Sequence, residues 1–230
     1  MKQSFFLFAA FVLLLAACSP AATSMPEEAV TNEPPAVTDA PTEAATQPSG
    51  PLTLTSTAFE NEGVIPVQYG EVNMMQEMEG GYFFACTNAA EATNLSPALA
   101  WTNVPEGTVS LALVMWDQMN YAYPDMPDTA VFTHWVIYNI PVSATGLAEG
   151  QPAEPVLADG SLQGLNNYPS PYDIGYGGPC PGAETHLYVF TLYALDTTLN
   201  PTGGDLQTVL LAMEGHILAQ TELKGYYTGE

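Results

Sequence analysis

The chain has 230 residues, and its 25 acidic residues face only two lysines and no arginine, for a formal net charge of −23. A field of that sign repels phosphodiester backbones and anionic lipid surfaces, which excludes nucleic-acid binding and electrostatic adsorption to membranes. The charge reads as a solubility device for an exposed protein.

The first element is a leader. Met1-Lys2-Gln3 carries one positive charge, and residues 4–16 (SFFLFAAFVLLLA) form an almost unbroken apolar run. That run suits a signal-peptide core and is shorter than the ~20 residues of a membrane-spanning helix. It ends at Leu15-Ala16-Ala17-Cys18. This string resembles a bacterial lipobox, which implies cleavage after residue 17 and an acyl chain on Cys18. The expected product is an extracytoplasmic lipoprotein held to a membrane by its acyl anchor. Ser19 in place of Asp favours the outer membrane in a two-membrane cell. Cleavage removes Lys2 and no acid, so the mature chain carries a net charge of −24 with Lys224 as its single basic side chain.

After the lipidated Cys18, the segment to residue 51 is rich in Pro, Ala, Thr, Ser and Glu, without aromatic residues or apolar periodicity. Such a composition does not bury enough surface to fold. It reads as a tether reaching on the order of 100 Å extended and about 30 Å coiled. From residue 52 to 230 the composition is that of one domain large enough for a core.

Strand signals dominate that domain. Leu52 to Thr55 alternates apolar and polar, while 109–116 (VSLALVMW), 131–140 (VFTHWVIYNI) and 187–195 (LYVFTLYAL) are apolar, β-branched and aromatic runs. Pro105-Glu106-Gly107, Pro141 and the Pro/Gly-rich stretch 169–182 punctuate them. One helix is predicted late. Asp205 caps it, and Leu206, Val209, Leu210, Met213 and Ile217 recur at helical spacing to about Gln220, with His216 on it as a structural residue. The expected fold is mainly β: two packed antiparallel sheets with a few short helices, one near the C-terminus.

A series of blocks then runs through the domain in order. Among them are Gly63-Val64-Ile65-Pro66, Asn94-Leu95-Ser96-Pro97-Ala98-Leu99-Ala100-Trp101, Phe132-Thr133-His134-Trp135-Val136-Ile137-Tyr138-Asn139-Ile140-Pro141, Gly175-Tyr176-Gly177-Gly178-Pro179-Cys180-Pro181 and His186-Leu187-Tyr188-Val189-Phe190. Together they resemble the bacterial, Raf-kinase-inhibitor-like branch of the phosphatidylethanolamine-binding protein family. The resemblance implies a small pocket for anionic groups, lined by Asp117, His134, the Gly178-Pro179 turn, His186 and Tyr188. The sequence departs from the family pattern in two places. Gln118-Met119-Asn120 follows Asp117 where a proline and a second Asp are usual, and the segment between Tyr69 and Asn94 is longer.

With no arginine and one lysine, a bound phosphate has to be held by His and Tyr donors and by backbone amides, which Gly175, Gly177 and Gly178 are expected to turn inward. Binding is expected to strengthen as pH falls through the histidine pKa values. A lone His in a strand is more often a core residue, but two at pocket positions favour the pocket. Asp117 with two histidines also fits a facial triad, yet no metal-ligand spacing accompanies them, so neither metal nor cofactor is expected. Among the remaining cysteines, Cys86 and Cys180 form an even pair that an oxidising compartment would join, the alternative being two buried thiols. The expected activity is capture of a small anionic or phosphorylated ligand, such as a phospholipid headgroup, without catalysis. The alternatives are a protein-interaction module that inhibits a protease or signalling partner through the insertions 70–93 and 118–130, and a hydrolase using Asp117, His134 and His186, for which no nucleophile is evident.

Overall fold

The structure is a computed structural model that describes residues 50–72, 86, 91–118, 131–168, 170–202 and 204–229. The leader, Cys18, the tether and most of the two insertions lie outside the described residues.

Among the described residues, nine strands build two sheets. They are β1 (Thr53–Ser56), β2 (Gly63–Val64), β3 (Leu99–Thr102), β4 (Ser110–Asp117), β5 (Phe132–Pro141), β6 (Gly146–Leu147), β7 (Leu162–Gln163), β8 (Thr185–Leu195) and β9 (Ile217–Thr228). The small sheet has the order β1-β3-β6 and the large one β2-β9-β8-β4-β5-β7. All pairings are antiparallel except the short β2–β9 contact. A single turn of 3-10 helix spans Val67–Tyr69, and the one α-helix among the described residues, α1, spans Leu206–Met213.

The central strands read as continuous apolar runs because both faces of the large sheet are covered. One face, with Leu111, Leu113, Met115, Trp135, Ile137, Phe190 and Leu192, packs with Leu54, Leu99 and Trp101 of the small sheet. The other, with Ala112, Val136 and Leu195, packs under Val209 and Met213 of α1. Each fully buried side chain of this size contributes roughly 1.5–3 kcal/mol of transfer free energy. Alternation is visible where only one side is covered, as in β9, where Leu223, Gly225 and Tyr227 are buried between exposed or half-buried neighbours.

The helix corrects one expectation. Asp205 does cap it, its side chain accepting from Thr208 N at 3.0 Å, but it stops at Met213. Gly215 adopts φ +79°, a left-handed conformation that reverses the chain. Ile217 to Gln220 then belong to β9 and pair with β8. The apolar spacing that extended the helix is satisfied by a strand edge instead. His216 therefore sits in the turn, not on the helix, and its Nδ1 bonds Asp196 Oδ1 at 2.7 Å.

Candidate functional site

Asp117 is the last residue of β4, and Tyr188 is its direct partner across the β4–β8 ladder. Directly opposed residues share a face, and His186, two residues before Tyr188, shares it as well. Asp117 Oδ2 accepts from His186 Nδ1 at 2.7 Å. A carboxylate offers no hydrogen, so this bond fixes Nδ1 as the protonated ring nitrogen.

His134 arrives by a different device. Met115 pairs with Trp135 and the next residue, Trp116, pairs with Thr133, so His134 is an extra residue on β5 with no partner on β4. Such a bulge re-aims a side chain. The His134 ring lies edge-on to Tyr188 with centroids 5.1 Å apart, and 4.8 Å from the ring of Phe132. Its Nδ1–H donates to the Gly177 carbonyl at 2.7 Å.

The Gly177–Cys180 loop forms the facing wall. Gly177 N donates to the His134 carbonyl at 2.8 Å. Gly178 N donates to Asn94 Oδ1 at 2.8 Å and to Glu71 Oε2 at 3.2 Å. Tyr168 Oη donates to the Gly178 carbonyl at 2.7 Å, and Glu71 N donates to the Pro179 carbonyl at 2.9 Å. Cys180 is disulfide-bonded to Cys86. A Cβ on Gly178 would lie 2.5 Å from Glu71 N and Tyr69 O, so the backbones approach too closely for any other residue.

The structure thus brings together Asp117, His134, Gly178, Pro179, His186 and Tyr188, all named from the resemblance. It adds Glu71, Asn94 and Tyr168, which the sequence reading did not assign to the site. Glu71 had a signal: it is an isolated acid between Tyr69-Gly70 and Val72. Tyr168 had none beyond its place in a Pro/Gly-rich loop.

Burial governs the electrostatics. Glu71 is 2% exposed. Desolvation pushes its pKa up to about 7, against amide hydrogen bonds from Val72 and Gly178 that favour the carboxylate. Burial raises Asp117, opposed by the hydrogen bond and charge of His186. It lowers His134 to about 4, so this ring is neutral from pH 5 to 8. Tyr188 is pushed up by burial and then by the charge of Asp117. Tyr168 and Tyr176 are pushed well up by burial and then by Glu71.

Two expectations are corrected by these contacts. The amides of Gly177 and Gly178 are not turned toward a ligand, because His134, Asn94 and Glu71 take them. His134 contributes no titration between pH 5 and 8, because desolvation outweighs its bonds to the loop carbonyls. Lys224, the one lysine among the described residues, pairs with Glu222 at 3.0 Å on β9. Among the described residues, no three His, Cys, Asp or Glu side chains converge as a metal-binding group.

Two buried side-chain atoms of this cluster, Asp117 Oδ1 and Tyr188 Oη, make no well-formed hydrogen bond. Their residues are 3% and 0% exposed. The two residues act on each other through charge and a loose side-chain hydrogen bond, and the Cys180 backbone also reaches Tyr188.

This architecture is a two-sheet β-fold with a cluster of buried polar side chains at the ends of its central strands. The family model described as phosphatidylethanolamine-binding protein matches residues 55–228. A UPF0098 protein of Methanothermobacter thermautotrophicus is 40% identical over 177 residues, covering 76% of this chain and 98% of its own. A crystal structure of a putative phosphatidylethanolamine-binding protein homologue from Chlamydia trachomatis superposes with a TM-score of 0.58 at 32% identity, covering 79% of this chain and 100% of the other. YbcL of E. coli, described as a new member of the mammalian PEBP family, gives 0.59 at 26% identity with the same coverage. The chain belongs to the phosphatidylethanolamine-binding protein family.

Proposed function

We propose that this protein is an extracytoplasmic, lipid-anchored binding protein that captures a small phosphorylated or otherwise anionic ligand in the pocket of Asp117, His134, Gly178-Pro179, His186 and Tyr188. The observation that supports the reading is the convergence of Asp117, His186, His134 and Tyr188 on one buried polar cluster, in which Asp117 Oδ1 and Tyr188 Oη make no well-formed hydrogen bond. A buried polar group with poor hydrogen bonds gains free energy when a ligand completes them. Asp117 and His186 supply a fixed acceptor–donor pair beside them. The reading is binding without turnover. The lipobox-like Leu15-Ala16-Ala17-Cys18 and the segment up to residue 51 supply the anchor and spacer.

The test is thermal unfolding of the full-length mature protein at pH 5.5 and 7.5 with phosphate or phosphoethanolamine. Ligand at 100 times its dissociation constant stabilises by about 2.7 kcal/mol. The gain is expected to disappear in His186→Ala. No stabilisation by any small oxyanion at either pH refutes the proposal.

A further inference from the structure

Glu71 is a buried acid to which the binding reading gives no part. It follows the 3-10 turn at Val67–Tyr69 and is 2% exposed. Its carboxylate oxygens accept from backbone amides alone, Oε1 from Val72 N at 3.0 Å and Oε2 from Gly178 N at 3.2 Å. Asp117 differs, because its partner His186 is a side chain that can carry positive charge. The described residues give Glu71 no cationic partner. The acid is also locked against the Gly178-Pro179 turn. Glu71 N donates to the Pro179 carbonyl at 2.9 Å, and a Cβ on Gly178 would lie 2.5 Å from Glu71 N. Tyr168, whose Oη donates to the Gly178 carbonyl at 2.7 Å, feels the charges of both Glu71 and Asp117. One buried phenol within the field of both acids places them in a single desolvated region.

An anion held at that turn and an ionised Glu71 would put two negative charges into this region, where repulsion is less screened than in water. A proton on Glu71 removes one of them. We propose that Glu71 is the proton-binding group of the pocket wall, and that capture of an anion at the Gly178-Pro179 turn is coupled to uptake of one proton from solvent by its carboxylate. The turn survives the change, because Gly178 N keeps Asn94 Oδ1 at 2.8 Å. Burial already brings the Glu71 pKa up to about 7, and a neighbouring anion raises it further. Well below that value the acid is neutral with or without ligand, and affinity is at its full. As the pH rises past it, binding must draw a proton from water, and affinity falls. The groups facing Glu71 are Tyr69 on its own segment, Tyr168 and Tyr176 from the facing loops and, against Gly70, Tyr227 of β9. Burial raises Tyr69 and pushes Tyr168 and Tyr176 well above 10, so these three stay neutral to pH 8. Asp117, paired with His186, also acts on Tyr168.

This inference rests on the anion-binding reading, and the experiment separates the two. The probes are sulfate and dimethyl phosphate, whose own charges stay fixed across neutral pH. Each is titrated calorimetrically into the full-length mature protein between pH 5.5 and 8 at constant ionic strength. With a coupling of about tenfold, affinity is expected to weaken about fivefold across that range. At pH 7.5 the same coupling takes up about half a proton per bound anion, read from the dependence of the heat on the buffer's ionisation enthalpy. In Glu71→Gln, shown to fold by circular dichroism, affinity is expected to vary less than twofold and the uptake to vanish. Infrared difference spectra of the parent supply a readout that needs no variant. Binding at pH 7.5 is expected to add the band of a protonated carboxyl group, whereas uptake by an imidazole adds none. Affinity that stays flat with pH overturns the inference and leaves the anion site standing. Proton uptake without the carboxyl band, or undiminished in a folded Glu71→Gln, also overturns it. Binding of neither probe at any pH overturns both readings.

Discussion

Glu71 allows the energetics of the site wall to be tested without knowing the ligand. Its carboxylate is buried, and burial pushes its pKa from 4.5 to about 7. In the folded protein the group therefore holds its proton more tightly than in the unfolded chain. Stability from this source is present in full below about pH 4.5, falls as the pH rises and is lost through pH 7. Over the 2.5 units between the two values the whole effect is about 3 kcal/mol at 1.36 kcal/mol per unit. Between pH 5 and 8, where most of the change falls, it is about 2–3 kcal/mol. Glu71→Gln removes the titration and keeps one accepting oxygen. Gly178 N retains Asn94 Oδ1 at 2.8 Å as its partner, so the turn stays anchored. Urea unfolding of both proteins at pH 5, 6, 7 and 8 gives two stability curves. The parent is expected to lose about 2–3 kcal/mol more than the variant across that range, whatever the remaining acids do to both. Parallel curves would refute the argument, because they would mean that the folded protein holds Glu71 at an ordinary pKa.

Other outcomes follow from the same contacts. Replacing Cys86 and Cys180 together by Ala opens a cross-link spanning 94 positions. By the chain-entropy model this lowers stability by about 4–5 kcal/mol, measured by denaturant unfolding without reductant, and two free thiols in the unreduced, denatured parent would show that the bond does not form. Gly178→Ala forces a Cβ against the Glu71 and Tyr69 backbones. A loss of about 3 kcal/mol is expected, and a loss below 1 would show that the turn yields. Cys18→Ser is expected to move the protein from the membrane to the soluble fraction and to abolish acyl labelling, and persistence in the membrane fraction would remove the anchor from the proposal.

The sheets were legible because the sequence of a strand covered on both faces is nearly all apolar. The runs from Ser110, Phe132 and Thr185 therefore announced β4, β5 and β8 within two residues. The strand β9 was not, although Leu223, Gly225 and Tyr227 alternate with polar neighbours. Its first four residues continue the helical spacing of α1, and the glycine that separates the two acts through a dihedral angle, not through hydrophobicity. At the site, the resemblance supplied the residues but not the wiring. Which amides of the Gly177–Gly178 turn remain open depends on Asn94 and Glu71, some 84 and 107 residues away in the chain. Nor does composition reveal that His134 is desolvated. That depends on its neighbours Phe132, Tyr168 and Tyr188, which only the folded sheet assembles.

His134 enters the sheet as a surplus residue, and this separates scaffold from pocket. Excising that single position would leave Met115 opposite Trp135, Trp116 opposite Thr133 and Asp117 opposite Phe132, so the ladder closes over the gap with every remaining pair in place. The losses would be local: one imidazole, its bond to the Gly177 carbonyl and the carbonyl that receives the Gly177 amide. A lineage can therefore shed this corner of the pocket through one codon while its core stays in phase. The register of the sheet and the presence of this imidazole are separable in this architecture.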